Sequence, residues 1–228
     1  MRKGVDLLFF WGVLGTLGVA HSLLLTINTA WQPVTLVYIL MWLCSLVTLA
    51  WCRMYYGEAG LIDYDEPLTK SKLIYIPGAL AAIMIVNAVL LAGYARSSIW
   101  VPQPRMALQM SALSLNELVN DVFYQLGLVA NAEETMCLAL SQILMVRLSN
   151  HTFKRQAALY LPRVGWGILH AYQSYTGPLM PIMVLAATIS GCIISYAAYN
   201  GKTKCFLIAV LTHFIYNTIV ILQPYLTK

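Results

Sequence analysis

Long runs of apolar residues restrict what this chain can fold into more than any other feature. Five runs carry almost no charged side chains: Leu7–Ile27, Val34–Trp51, Leu73–Tyr94, Leu179–Tyr199 and Phe206–Tyr225. A helix needs about 20 apolar residues to cross the hydrocarbon core of a bilayer. Because a chain in lipid must satisfy its own backbone hydrogen bonds, these runs predict transmembrane helices.

The composition agrees with a membrane protein and excludes a soluble domain. Of the 228 residues, 60% are hydrophobic and 10% are charged, whereas a soluble domain carries about 25% charged residues. Arg2 and Lys3 precede the first run as they would in a signal peptide, but the run is longer than the usual apolar core of about 7 to 15 residues. We therefore expect the first run to remain as a helix.

The remaining composition points to the membrane and not to nucleic acid. The net charge of +5 is typical of loops that face anionic lipid or the cytoplasm. The five cysteines show no paired spacing, and four lie in or beside apolar runs. They predict small apolar side chains, and neither a disulfide framework nor a metal site.

The chain is predicted to form one all-α membrane domain, residues 1–228, without an internal repeat. Residues 1–105 supply the N-terminal helices and residues 106–228 the catalytic-type core, in a polytopic bundle of seven or eight transmembrane helices. A polar loop, Tyr55–Lys72, separates the second run from the third. A second break, Arg96–Arg105, contains Pro102 and Pro104, which disfavour helix.

The segment Met106–Val129 leaves the number of crossings open. It is long enough to span, but Asn116 and Asn120, and likewise Glu117 and Asp121, would share a helical face. It either lies along the interface or crosses with this face turned to a wet cavity. Without a crossing, most loop Lys and Arg residues fall on one side, as the positive-inside rule expects. The charge pattern therefore favours seven crossings.

Ionisable and amide side chains inside the later apolar segments are candidates for function, because such groups are costly in a membrane. They are Glu133, Glu134, His170 and His213, with Asn217 one helical turn after His213. Glu133 begins its helix and His170 ends the next, so the two are expected at the same depth. Adjacent glutamates point about 100° apart on a helix, so Glu133 and Glu134 are expected to have different roles.

Three kinds of chemistry fit these groups. A buried carboxylate can act as a general base on water while His and Asn stabilise the oxyanion of an attacked carbonyl. A glutamate and two histidines can instead bind zinc, although no H-E-x-x-H motif is present. The same groups could form a proton relay or transporter site, but we find neither paired broken helices nor a repeat.

Three motifs in order resemble the CAAX prenyl protease and bacteriocin-processing family of glutamate intramembrane proteases. They are A-E-E-T-M at Ala132–Met136, W-G-I-L-H at Trp166–His170 and H-F-I-Y-N at His213–Asn217. The residues between them also fit, with Gly191, Tyr196, Tyr199 and Gly201 before the last helix. The resemblance covers about Ala130 to the C-terminus and favours eight helices.

The resemblance implies a role for each candidate. Glu133 would activate water with help from His170, and His213 and Asn217 would stabilise the oxyanion. Glu134 would support the site. Members of the family cleave peptide bonds near the membrane, including the tails of prenylated CaaX proteins, and some serve as non-proteolytic partners.

One position departs from the family pattern. The family usually has Arg five residues after the first glutamate, followed by Gly, whereas this chain has Leu138 and Ala139. Either another cation, Arg147 or Arg163, replaces that arginine beside Glu134, or activity is lost. A buried carboxylate without a cation tends to be protonated, so a neutral Glu134 is expected if neither arginine replaces it.

The sequence thus predicts a metal-independent intramembrane endopeptidase that acts on a CaaX-type tail or a peptide precursor, prenylated or not. The alternatives are a catalytically inactive member that binds or regulates a membrane partner, and a transporter. No cofactor is expected, with zinc at Glu133, His170 and His213 as the alternative. The expected partners are the lipid bilayer and a peptide or protein substrate. The expected location is the cell membrane, with the endoplasmic reticulum as the alternative.

Overall fold

The computed structural model of this protein describes residues 32–57, 61–95, 114, 116–117, 127–148, 153–174 and 180–226. Some side chains within these ranges, that of His170 among them, lie outside the description. The described residues form six long helices: α1 Gln32–Tyr56, α2 Tyr75–Ala95, α3 Gly127–Arg147, α4 Lys154–Ser174, α5 Met180–Tyr199 and α6 Phe206–Leu226.

The all-helical prediction is confirmed for these residues, which contain no strand beyond an isolated bridge between Asp65 and Cys205. Two helices have segments long and apolar enough to span a membrane, Tyr38–Tyr56 and Pro181–Tyr199. Shorter apolar segments lie at Tyr75–Leu90 and Phe206–Val220. The predicted first helix, Leu7–Ile27, falls outside the described residues.

Helix α1 has one face toward the protein and one toward the surroundings. Trp42, Ser45, Leu49 and Cys52 recur at spacings of three and four residues and are buried against α3. The opposite face exposes the apolar side chains of Leu36, Leu40, Leu43, Val47 and Met54. An exposed apolar face of this length is what a helix presents to lipid.

Helices α4 and α5 pack closely because a glycine on each helix leaves room for side chains or backbone of the other. A Cβ atom at Gly167 would lie 2.9 Å from the backbone nitrogen of Thr188. A Cβ at Gly191 would lie 2.9 Å from Cδ of Arg163 and 3.2 Å from the ring of Trp166. Helix α4 continues through Pro162 without interruption. These glycines therefore allow α5 to lie directly behind the polar side chains of α4.

A folded connection between α1 and α2 closes one end of the bundle. Gln142 of α3 holds the backbone of Ile62 through both its amide atoms, at 2.9 and 2.8 Å. Phe206 N donates to the carbonyl of Tyr64, and Arg53 forms an ion pair with Asp65. Lys204 contacts the carboxylate of Asp63 at 2.9 Å, which raises the pKa of Lys204.

This end, which we call the basic end, gathers described cations from several connections: Arg53, Lys70, Lys72, Arg147, Lys154, Arg155, Lys202 and Lys204. Contacts across it join the connection after α1 to the one after α5, through Lys204 and Asp63. They also join the start of α4 to the end of α5, through Arg155 and the carbonyl of Tyr199. The described Lys and Arg residues of the loops therefore lie at the same end of the helical bundle.

This arrangement bears on the open question of residues 106–129, most of which lie outside the described part of the chain. Helix α2 starts at the basic end and α3 finishes there, so α2 ends and α3 begins at the same opposite end. A single crossing between them would place the two on different sides. The described flanks thus agree with the non-crossing alternative.

The start of one further helical turn lies between α2 and α3, at Ser114 and residues 116–117. The amide and hydroxyl of Ser114 both donate to the carboxylate of Glu117, at 2.9 and 2.6 Å, and residues 116–117 are helical. The reciprocal contact from Glu117 N to Ser114 Oγ completes a capping box. Ser114 therefore marks the N-terminus of a helix within Met106–Val129, the segment that the sequence analysis considered as a single helix.

Candidate active site

Glu134 lies at the centre of a buried charged network. Arg163 of α4 donates from Nη1 to Oε1 of Glu134 at 2.9 Å, and from Nη2 to Oε2. Its third donor, Nε, reaches Oγ of Ser195 on α5 at 2.7 Å. Neither charged side chain is more than 1% exposed. The bidentate contact and the additional bond to Ser195 compensate both buried charges and use three of the five guanidinium N–H donors.

This network settles what replaces the arginine that the family pattern places at Leu138. The cation comes from α4 instead of from α3, and of the two candidates it is Arg163 and not Arg147, which lies at the exposed end of α3. Of the two alternatives that the sequence left open, replacement by another cation is therefore the one observed, and the condition for a neutral, unpaired Glu134 is not met. The physical reason is that a guanidinium one helix away can reach the carboxylate as well as one on the same helix.

Glu133 has a different set of partners, as the angle between adjacent helical residues predicted. The hydroxyl of Tyr38 on α1 donates to Oε1 at 2.9 Å. The indole Nε1 of Trp166 on α4 donates to Oε2 at 2.6 Å. Glu133 is buried, with 5% of its surface exposed. Both donors are neutral, so no described arginine or lysine neutralises this carboxylate.

His213 of α6 connects the two glutamates. Its Nδ1 lies 2.9 Å from Oε1 of Glu134, and its Nε2 lies 3.6 Å from Oε2 of Glu133. Because a carboxylate only accepts hydrogen bonds, we assign the proton in the first contact to Nδ1. The imidazole packs edge-on against the Trp166 ring, with centroids 5.5 Å apart. His213 is 1% exposed and does not face lipid.

The other two predicted residues are placed by the backbone. His170 lies one turn after Trp166 near the end of α4, and its side chain lies outside the described residues. Asn217 lies one turn after His213 on α6 and is partly buried. Among the described residues no hydrogen bond joins its amide to the glutamates. The structure thus brings Glu133, Glu134 and His213 together, while convergence of His170 and Asn217 stays a prediction.

The metal prediction stays open for the same reason. In the part of the chain that the structure describes, no three His, Cys, Asp or Glu side chains are arranged to hold a metal ion. The alternative zinc site needs His170, whose side chain is not described.

Sequence reasoning missed two residues of this site and under-used two others. Tyr38 and Ser195 lie in apolar helices far along the chain from Glu133, and nothing in their local sequence distinguishes them. Trp166 stands out in the sequence as part of the W-G-I-L-H motif, and a buried indole N–H needs an acceptor, which points to a polar partner. Arg163 carried a stronger signal, because an arginine within a membrane helix is itself a candidate for function.

The comparisons with known proteins support the resemblance predicted from the motifs. Residues 116–219 match the model of the family described as type II CAAX prenyl endopeptidase Rce1-like. All five predicted site residues lie within the matched segment, and Tyr38 lies outside it. No curated protein and no solved structure matches the chain.

Proposed function

Since residues 116–219 belong to the Rce1-like family of type II CAAX prenyl endopeptidases, we propose that this integral membrane protein is an intramembrane endopeptidase in which Glu133 activates a water molecule. The family is described by its membrane-protease activity, and the apolar helices of the chain agree with a membrane protein. The finer assignment rests on the contrast between the two adjacent glutamates.

That contrast is the observation that carries the proposal. Glu134 is held in an ion pair by Arg163, and so is poorly suited to accept a proton. Among the described residues, Glu133 receives hydrogen bonds only from the neutral donors Tyr38 and Trp166. A carboxylate offers about four lone-pair sites, so two remain on Glu133 for a water molecule. Of the pair, Glu133 is the one suited to general-base chemistry.

The proposed reaction is hydrolysis of a peptide bond. Glu133, with His170 orienting the water, takes one proton as the oxygen attacks the carbonyl carbon. The carbonyl becomes an oxyanion, which Asn217 stabilises from its amide and His213 stabilises from Nε2–H as an imidazolium, its Nδ1–H being held by Glu134. Glu133 then passes the proton to the leaving nitrogen, the C–N bond breaks, and a carboxylic acid and an amine are released; the acid then gives its proton to the amine or to water. Glu134 and Arg163 hold His213 in place through Nδ1.

The proposed substrate is the tail of a CaaX-type protein or a peptide precursor that reaches the site from the bilayer. The chain would work as a multi-pass bundle in the cell membrane, with the endoplasmic reticulum as the alternative. One-sided charges in the described loops favour seven crossings. We propose that hydrolysis needs no metal. Metal analysis of the purified protein tests this, and stoichiometric zinc that is lost on changing His213 would contradict it.

Cleavage of a membrane-anchored reporter in proteoliposomes tests the function. The reporter ends in a CaaX sequence and is offered both with and without a prenyl group. Glu133→Gln should lower the rate by at least roughly 10²-fold while leaving the fold intact, because the amide keeps the shape and removes the base. Glu117→Gln is the matched control, since Glu117 is an exposed glutamate in the same matched segment, and it should retain the parental rate.

The opposite result has a definite meaning. If the parent cleaves neither the reporter nor peptide precursors, the chain is a non-catalytic partner, the alternative that Leu138 favoured. The pairing of Glu134 with Arg163 weighs against that alternative, because the support missing at Leu138 is supplied by another helix.

A further inference from the structure

Tyr38 contacts the proposed catalytic base from a helix outside the segment that matches the protease family. Its hydroxyl donates to Oε1 of Glu133 across 95 residues of sequence. We propose that Tyr38 is a positioning residue of the active site, which together with Trp166 holds the Glu133 carboxylate in one orientation. The inference rests on the proposed role of Glu133 as the base, and it makes α1 part of the catalytic unit.

Tyr38 and Trp166 donate hydrogen bonds to different oxygens of the Glu133 carboxylate. Tyr38 reaches Oε1 from α1 and Trp166 reaches Oε2 from α4, at 2.9 and 2.6 Å. The terminal torsion of a glutamate is broad and has no sharp rotamer preference. Two donors on different helices remove that freedom, whereas one donor would leave the carboxylate able to pivot about a single oxygen.

The packing of α1 fixes the height of Tyr38. The buried stripe of Trp42, Ser45, Leu49 and Cys52 continues from Tyr38 at the same spacing and lies against α3. At this spacing a shift of α1 by one residue would rotate Tyr38 by about 100° and remove it from Glu133. The register of α1 on α3 is therefore what delivers the hydroxyl.

The Trp166 ring is also fixed by packing, against α5 on one side and α6 on the other. Gly191 of α5 leaves room for its ring, since a Cβ there would approach the ring to 3.2 Å. His213 packs against the other side of the indole at a centroid distance of 5.5 Å and an angle of 87°. Both donors to Glu133 are thus buttressed by neighbouring helices, as a preorganised site requires.

A stability experiment tests the contact independently of any activity. Tyr38→Phe removes one hydroxyl and leaves a buried carboxylate oxygen without its donor, so the Tm of the purified protein should fall by about 2 to 4 °C. In a Glu133→Ala background the acceptor is absent, so the same change should lower the Tm little or not at all. Tyr55→Phe, at an exposed position on the same helix, should change the Tm in neither background.

Equal losses of Tm in both backgrounds would overturn the proposal, because they would show that Tyr38 acts through packing and not through Glu133. The Tm comparison gives a result even if the protein cleaves no substrate. It therefore tests the contact between Tyr38 and Glu133 separately from the proposed protease function.

Kinetics then distinguish positioning from a purely structural contact. On the CaaX reporter, Tyr38→Phe and Trp166→Phe should each lower kcat by roughly tenfold with KM within twofold of the parent, because the hydrogen bonds orient the base and do not bind substrate. The double variant should lose more than the product of the single losses, since the carboxylate is then free to turn. An unchanged kcat in Tyr38→Phe, with parental activity present, would reduce Tyr38 to a structural residue.

Discussion

Arg163 on α4 donates to both carboxylate oxygens of Glu134 on α3, and each side chain is at most 1% exposed. The pair lies inside a helical bundle, where an uncompensated charge is strongly unfavourable. Ser195 accepts from Nε of the same guanidinium, and His213 contacts the same carboxylate. One ion pair thus joins four helices, α3 to α6, around the proposed catalytic residues.

Removing Arg163 should therefore be severe. Arg163→Leu leaves the carboxylate of Glu134 buried without a cation, and losses of about 3 to 5 kcal/mol are typical when one partner of a buried pair is removed. We expect a large fall in Tm in detergent and no detectable cleavage. Arg147→Leu is the control, because Arg147 lies at the exposed end of α3, and it should change neither property appreciably.

Moving the cation back to α3 should rescue that variant. Leu138 lies one turn after Glu134 on the same helix face and is 1% exposed. In the double variant Arg163→Leu with Leu138→Arg, the guanidinium and the leucine exchange helices, so the buried charge is again compensated. Part of the lost Tm should return. A double variant less stable than Arg163→Leu alone would show that the site depends on the cation arriving from α4.

Glu134→Gln should be as harmful as removal of Arg163. The amide keeps the shape of the side chain but leaves a buried guanidinium without a counter-charge, again at about 3 to 5 kcal/mol. It should therefore lower both Tm and cleavage, whereas Glu133→Gln should abolish cleavage at nearly parental Tm. Parallel melting curves and reporter assays measure the difference. A fully stable and active Glu134→Gln would mean that the carboxylate is neutral after all.

Gly191 offers a single position from which both glutamates can be disturbed. A Cβ there would approach Cδ of Arg163 at 2.9 Å and the Trp166 ring at 3.2 Å. Gly191→Ala should thus displace the donors of Glu134 and Glu133 together, with an overpacking loss of about 1 to 3 kcal/mol. Gly165→Ala, also within a helix but with open space around it, should be neutral or slightly stabilising. Equal stability of the Gly191→Ala and Gly165→Ala variants would contradict the close packing of Gly191 against α4.

The placement of the loops predicts a labelling pattern. Lys70 and Lys202 are exposed on connections that meet at the basic end. Cysteines introduced as Lys70→Cys and Lys202→Cys should react with a membrane-impermeant maleimide from the same side, and the positive-inside rule makes it the cytoplasmic side. The parent, with its five native cysteines, provides the background. Labelling from opposite sides would require one crossing between α2 and α3.

Much of the architecture follows from the sequence because lipid permits so few backbone structures. Apolar runs must become helices, so those of α1, α2, α5 and α6 were predictable to within a few residues. The polar groups were equally visible, because Glu133, Glu134 and His213 stand out in apolar surroundings. Their common location followed from the resemblance and from helix depth. Sequence spacing even showed that the adjacent glutamates needed different partners.

The identity of those partners was decided only by the tertiary structure. Which arginine meets Glu134 depends on how α4 is rotated against α3. Leu138 shows that no arginine occupies the family's usual position on α3, but it does not show which arginine pairs with Glu134 instead. Tyr38 reaches Glu133 because α1 packs on α3 in one register, a relation between residues 95 positions apart. Local sequence determines helices and their polar faces, but lipid solvates every outward apolar face alike. The close packing of small residues and hydrogen bonds between helices therefore selects which faces meet.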